Sequence, residues 1–518
     1  MKVRAPVLTP AIALFTLLLA AAPASTIKKT APPPRPASGA EPPTDAKTSK
    51  QAAPEPEAKP VSKVDPKIFD QALEDYFDGN QRKAAAKLFA YVEATAQTEE
   101  NYAWAQYFLA KSLIDLGLRH AGGLYLAKIA RERSNPAVLP RALDELRSLT
   151  EVPHDERMID EQVFGSLDLA FLPDETSGFV HYHQGLWDLR VGSERWALLH
   201  FAKLKEGSVE ASRAKFAVLV TRLKEHQGAT QQMVDDFLEL ANDEKLSRET
   251  RNESMLAVAR LRYEMKDFKG ALDAYEKVQL PSLHPGRATL YLEEAWSRYQ
   301  LGQIHAAMGL LTTLDAPVFR DEFLPDKYLL RAMIYKDLCH YLPAKRAAKE
   351  LTRRFADSLE TIREREDLTK DLRLKRAASA QGATQRAYKF LQSITLEGER
   401  VGRYAGSFGE RLYAHLTKLY DLAHAEAQRL YDERLNESVR AEADKLLRAA
   451  EQVRLMEYEV GLKLYERVKR GAKLVTPEED PELTDSQVAY KFDGEYWNDE
   501  LRDYRVSLKS RCIEEASR

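Results

Sequence analysis

Reactive side chains are sparse in this chain. Cys339 and Cys512 are the only cysteines in 518 residues. Two thiols cannot build a Cys-rich zinc module or a disulfide-dense scaffold. They leave two readings: one disulfide formed in an oxidising compartment, or two separate thiols. The distance that decides between them is not set by the sequence. His181 and His183 flank Tyr182, with His200 further on. On a helix, positions i and i+2 face different ways, so these histidines make a poor metal pair. Carboxylates are everywhere in a chain that is 30% charged, so no pair of them singles itself out for acid–base work. The signatures G-x-x-x-x-G-K-[ST], G-x-G-x-x-G after a strand, G-x-S-x-G and H-E-x-x-H are missing. No catalytic residue, metal ligand or cofactor is assigned, and the chain reads as non-enzymatic.

Composition agrees with that reading. Lys and Arg number 77 and Asp and Glu 80, a formal net charge of −3, which argues against a nucleic-acid binder. Glycine is 23 of 518, scarce beside the usual level of about 7%. Long helices tolerate that scarcity, and Gly-rich phosphate loops and β-rich folds do not.

The N-terminus reads as an address. Lys2 and Arg4 precede an apolar run from Ala11 to Ala21, and Ala22-Pro23-Ala24 follows with small residues in the A-x-A arrangement. This is the layout of a signal peptide over 1–24, too short in its apolar part to span a bilayer. The alternative is an uncleaved anchor. No other apolar stretch of spanning length occurs, so a mature chain without a membrane span, in a bacterial periplasm, is expected. Residues 25–66 hold ten prolines and no aromatic. They are expected to be a disordered linker, either a tether or a passive leader.

From Lys67 helical periodicity begins and one pattern recurs. A small residue is followed twelve positions later by another small residue, and four further on by a residue that is large and apolar in most copies. The first and second small residues are Ala72 and Ala84, Ala110 and Gly122, Gly185 and Ala197, Ala259 and Ala271, Ala295 and Ala307, and Ala332 and Ala344. Small residues let two antiparallel helices cross closely, and the large ones fill the groove between repeats. The last three copies begin at 259, 295 and 332, close to a 34-residue period. These segments resemble tetratricopeptide (TPR) repeats over residues 67–355, with departures at 137–175 and 205–250; the alternative is a non-repeating helical bundle. The resemblance implies a superhelix whose concave groove binds peptides or partner proteins and catalyses nothing. It points to the first helices of the repeats for groove-lining residues, with Tyr263, Arg298, Tyr335 and Arg262 as candidates.

The C-terminal third is of another kind. Leu412, Leu416, Leu419, Ala423, Ala427 and Leu430, then Leu435, Val439, Ala443, Leu446, Ala450, Val453, Met456, Val460 and Leu464, form one apolar stripe. A long helix with that stripe needs a partner. The expected partner is a helix over 358–400 folding back through Gly398–Gly409; the alternative is another chain, by self-association through 410–464. The charged runs 363–367 and 370–376 read as solvated helix faces. The last segment places Tyr490, Phe492, Tyr496, Trp497 and Tyr504 within fifteen residues. Such density reads as a cap docked on the solenoid or as a partner-binding hook with Tyr496 and Trp497 as anchors.

The expected fold is all-α: a TPR-like helical solenoid (67–355), a long helical hairpin or coiled coil (356–475) and an aromatic-rich C-terminal segment (476–518). The whole layout also resembles exported TPR proteins of bacterial gliding-motility complexes. The expected function is a periplasmic scaffold or adaptor holding other envelope proteins or peptides in its groove. The alternatives are a periplasmic chaperone for outer-membrane or secretion components, a self-assembling structural coiled coil, and a degenerate enzyme or peptidoglycan-acting protein, for which no catalytic constellation is visible.

Overall fold

The structure, a computed structural model, describes residues 67–133, 135–155, 157–164, 174–224, 228–281, 284, 286–380, 382–471, 494–497 and 501–512. The export segment, the linker, and Tyr490 and Phe492 lie outside the described residues. Among the described residues every regular element is helical. The fold is all-α.

The helices in order are α1 (Lys67–Phe77), α2 (Gln81–Ala94), α3 (Tyr102–Asp115), α4 (Arg119–Glu132), α5 (Leu139–Leu149), a π-helix (Arg157–Phe164), α6 (Asp174–Arg190), α7 (Glu194–Phe201), α8 (Val209–Lys224) and α9 (Gln231–Asn242). There follow α10 (Arg248–Glu264), α11 (Phe268–Tyr275), α12 (Gly286–Gln300), α13 (Ile304–Thr313), α14 (Pro325–Asp337), α15 (Tyr341–Arg354), α16 (Ala356–Arg363), α17 (Leu372–Ser379), α18 (Gly382–Arg403) and α19 (Ala405–Lys469). The chain forms two compact units. Of the described residues, one holds 67–197 with 393–424, and the other 198–392 with 425–512. The 356–475 segment is thus shared between them.

The six copies of the sequence pattern fold alike. The alanines at the small positions have no exposed surface, and Gly122 and Gly185 are buried too. At Gly122 an added Cβ would lie 2.5 Å from Ile114 Cγ1 and 2.8 Å from the Ala110 carbonyl oxygen, so only glycine fits that crossing. Seven residues after the first small residue the backbone is left-handed in every copy. The φ angles are 77° at Gly79, 76° at Gly117, 79° at Gly192, 65° at Lys266, 74° at Gly302 and 61° at Cys339. At each, that residue's N–H donates to the carbonyl three back and the next N–H to the carbonyl five back. In the first copy these are Gly79 to Tyr76 at 3.1 Å and Asn80 to Asp75 at 2.8 Å; in the last, Cys339 to Lys336 at 2.9 Å and His340 to Tyr335 at 2.8 Å. This is a Schellman turn, which satisfies the last carbonyls of the first helix and reverses the chain into the second.

The departures have local causes. Over 137–175 the described chain is helical but irregular: α5, with a proline in its first turn, is followed by a π-helical stretch. The single helix expected over 358–400 is three helices. Left-handed Arg365 (φ 57°) follows the end of α16, and the Asp371 side chain accepts from the N–H groups of Arg373 and Leu374 to start α17. The run 363–367 is therefore the last residue of α16 and the turn after it rather than a helix face. Helix α19 is interrupted at Gly409 (φ 71°, ψ 163°).

The stripe on α19 is buried, against several surfaces rather than one. In the first unit Leu412, Leu416 and Tyr420 are buried. Here the Tyr420 hydroxyl donates to Glu397 at 2.6 Å and accepts from the Ala121 N–H at 3.3 Å. In the second unit Leu435, Val439 and Ala443 pack with Leu374 and Ala378 of α17. Leu446, Val453, Met456, Val460 and Leu464 pack with α14 and α15, on Tyr328, Ala332, Ala344, Ala348 and Leu351. The end of the long helix thus rests on the last repeat and not on a hairpin partner. The stripe is consumed within the chain, and an outer row of Leu455, Tyr458, Leu462 and Tyr465 remains exposed.

Candidate interaction surface on the last two repeats

The residues expected to line a groove do not converge. Tyr263 is 5% exposed and packs edge-on against Phe268 with centroids 5.1 Å apart. Burial pushes its hydroxyl pKa up to about 12. It is a core residue, which corrects its placement on a binding surface. Arg262 donates to the Gly270 carbonyl at 3.1 Å. Arg298 bridges Glu276 and Gln303, each at 3.1 Å, so both arginines hold the ends of neighbouring helices together. Tyr335 is half-buried, its ring 6.3 Å from that of His340.

The chain's own C-terminal segment lies on this part of the array instead. Residues 504–511 are non-helical. Leu501 is buried in the core of the second unit, and the Thr313 hydroxyl donates to its carbonyl. Arg502 forks onto Glu294 at 2.6 and 3.3 Å. Glu294 is fully buried, and burial raises its pKa against the opposing pull of Arg502. The backbone at Tyr504 and Arg505 lies directly over Gly309, where a Cβ would collide with the Tyr504 carbonyl. The Val506 N–H donates to the His305 carbonyl at 3.0 Å, and His305 Nε2 meets the Leu508 carbonyl at 3.2 Å. The segment therefore runs along α13 from its C-terminal end to its N-terminal end.

It then reaches the turn of the next repeat. His340 Nε2 lies 2.7 Å from the Lys509 carbonyl, and the Arg511 N–H donates to the Leu338 carbonyl at 3.0 Å. Cys512 is disulfide-bonded to Cys339, with Cα atoms 5.2 Å apart. Cys339 is not inside a first helix. It occupies the left-handed turn position after α14, and the turn presents its side chain to the tail. Tyr496 packs on the same core, 6.4 Å from the Tyr504 ring. The Trp497 N–H donates to the Tyr504 hydroxyl at 2.8 Å, and the Trp497 side chain is 39% exposed.

Compared with known proteins, the chain matches no family model and no curated sequence. Among the described residues no group of three or more His, Cys, Asp or Glu side chains is placed to hold a metal ion. No described helix is long and apolar enough to cross a membrane. The histidine that follows Tyr182 has a structural partner: His183 Nδ1 lies 2.9 Å from Asp160, which also accepts from Arg190 at 2.8 Å.

Glu294, His305, Gly309, Thr313, His340 and Arg502 are not singled out by the sequence. One signal is present. A glycine inside a helical run, as at Gly309, marks a place with a packing reason, such as another backbone coming close. What this surface does physically is hold a non-helical chain through its main-chain groups, with a buried carboxylate for a basic side chain at one end.

Proposed function

We propose that this chain is an exported, non-catalytic TPR-type scaffold that holds extended segments of other proteins of the bacterial cell envelope. The observation that carries the reading is the tail. A non-helical segment lies on the last two repeats and is held through its main chain: the Val506 and Arg511 N–H groups donate to carbonyls, and the Leu508 and Lys509 carbonyls meet the His305 and His340 rings. Main-chain recognition is tolerant of sequence, so a surface that holds one such segment suits others. The periplasm follows from the signal-like residues 1–24, and an assembly such as a gliding-motility complex from the resemblance in layout.

The test is an affinity capture of the mature chain from crosslinked envelopes, read by mass spectrometry. A short, stable set of envelope proteins, enlarged when residues 501–512 are deleted, is the expected result. A broad set of outer-membrane clients replaces this reading with a chaperone. Recovery of the chain alone replaces it with self-assembly, for which the exposed row on α19 is the available face.

A further inference from the structure

In the second unit a cleft of about 420 Å³ opens among the ends of α13, the short helix Pro317–Phe319 and α15 and the starts of α14 and α17. Its wall carries five basic side chains, Arg320, Lys327, Arg353, Arg354 and Arg373, against two acidic ones, Asp315 and Glu350. That balance is unusual in a chain whose net charge is −3. Sequence distance hides it. Arg320 follows the short helix Pro317–Phe319, Arg353 and Arg354 form the last turn of α15, and Arg373 opens α17.

The acidic side chains neutralise this wall only in part. Asp315 is already taken by Lys327 at 2.8 Å and by Arg331 at 2.6 Å. Glu350 stands 4.0 Å from Arg331. Arg354 donates to the Arg320 carbonyl, with Asp321 at 3.8 Å, and Arg373 donates to the Arg354 carbonyl at 2.8 Å. These bonds tie the three chain ends together and hold the guanidinium groups at one place. The side chains of Arg320 and Arg353 make no hydrogen bond or ion pair with any described residue. Arginines that are merely solvated have no reason to gather around one cleft, because like charges repel and a concave wall focuses their field. An anion removes that repulsion, and the planar fork of arginine matches phosphate oxygens two at a time.

We propose that this cleft is a binding site for a phosphate-bearing ligand with two or more negative charges, clasped by Arg320, Arg353, Arg354 and Arg373. Leu314 and the Tyr328 ring are the apolar members of the wall and the charged side chains outnumber them, so recognition falls on the charged group. A free diphosphate and a diphosphate lipid headgroup present the same chemistry to this wall.

Two arms test the proposal with the full mature chain. In the first, pyrophosphate is titrated calorimetrically into the wild type, into Arg320→Ala/Arg353→Ala and into Arg346→Ala. Arg346 is an exposed arginine of α15 outside the cleft wall. Binding to the wild type and to Arg346→Ala, weakened at least tenfold in the double variant, is expected. Neither cleft side chain has a partner among the described residues, so the double variant should keep the wild-type melting temperature, which is measured alongside. In the second arm, vesicles of phosphatidylcholine with and without a diphosphate lipid are sedimented with the same three proteins. Sedimentation only with the diphosphate lipid, lost in the double variant, assigns the ligand to a lipid headgroup. Absence of wild-type binding in both arms, or binding that survives in the double variant, overturns the proposal. Neither result bears on partner capture by the repeats.

Discussion

Asp160 links the stability of its unit to pH. It is buried, and it holds His183 at 2.9 Å and Arg190 at 2.8 Å. Burial raises its pKa, but the hydrogen bond from His183 and the charges of His183 and Arg190 outweigh that, leaving it below the ordinary carboxylate value. In the unfolded chain an aspartate protonates near pH ~3.9. The folded pKa is the lower one, so the stabilisation is present above the unfolded value and is lost as pH falls through the folded one. Asp160→Asn is expected to cost about 1.5–3 kcal/mol at neutral pH. It should also flatten the fall in stability between about pH 5 and the folded pKa, as read by urea unfolding. Parallel wild-type and variant pH profiles would sink the assignment. This group shows how far residue-scale reading of the sequence reaches. The spacing of His181 and His183 argues against a metal site. It cannot reveal the carboxylate 23 positions from His183, because nothing local ties Asp160 to that histidine before the chain folds.

Helix pairs are the most legible scale, because the small residues that set the crossings are conspicuous in the chain. The turn between the pairs is only partly legible. Gly79, Gly117, Gly192 and Gly302 announce a left-handed position, and Lys266 and Cys339 occupy the same position without announcing it. A left-handed L-residue costs about 1–2 kcal/mol, which the two turn hydrogen bonds and the buried alanines of the pair offset. The partners of α19 are legible only in part: segments of the expected 358–400 meet it through α17 and α18, but α14 and α15 cover its end, and periodicity carries no information about what lies opposite. The pair-to-pair contact makes its own prediction. Arg260 of α10 and Glu293 of α12 are 5% and 3% exposed, with guanidinium–carboxylate distances of 2.8, 3.1 and 3.1 Å. Replacing only Arg260 by Met strands a buried carboxylate and should cost about 3–5 kcal/mol. Adding Glu293→Leu should restore most of that loss in chemical denaturation. A double variant as unstable as the single one would mean that the pair does more than balance its own charge.

At the scale of the whole molecule the tail is the longest-range element of its unit. The disulfide joins positions 173 residues apart, and both its ends belong to the unit that holds 198–392 and 425–512. Sequence names the two cysteines but does not pair them, since a spacing along the chain sets no distance in space. Closing so long a loop restricts the unfolded ensemble, and the typical stabilisation is about 2–4 kcal/mol. Reduction should therefore lower the stability of that unit. Hydrogen exchange followed by mass spectrometry should show faster exchange over 501–512, α13 and the 338–340 turn, with 67–197 unchanged. The close approach at Gly309 separates the tail's seat from its covalent link. Gly309→Ala places a methyl group against the Tyr504 carbonyl and should free the Val506 N–H from His305 while Cys512 stays bonded to Cys339. In the oxidised variant exchange should rise at 504–508 and stay slow at Arg511, whose N–H donates beside the disulfide. If exchange rises equally at both places, the seat on α13 and the Arg511 contact open together, and the disulfide alone does not hold the end of the tail. If it rises at neither, the backbone of the tail does not lie against Gly309 in solution.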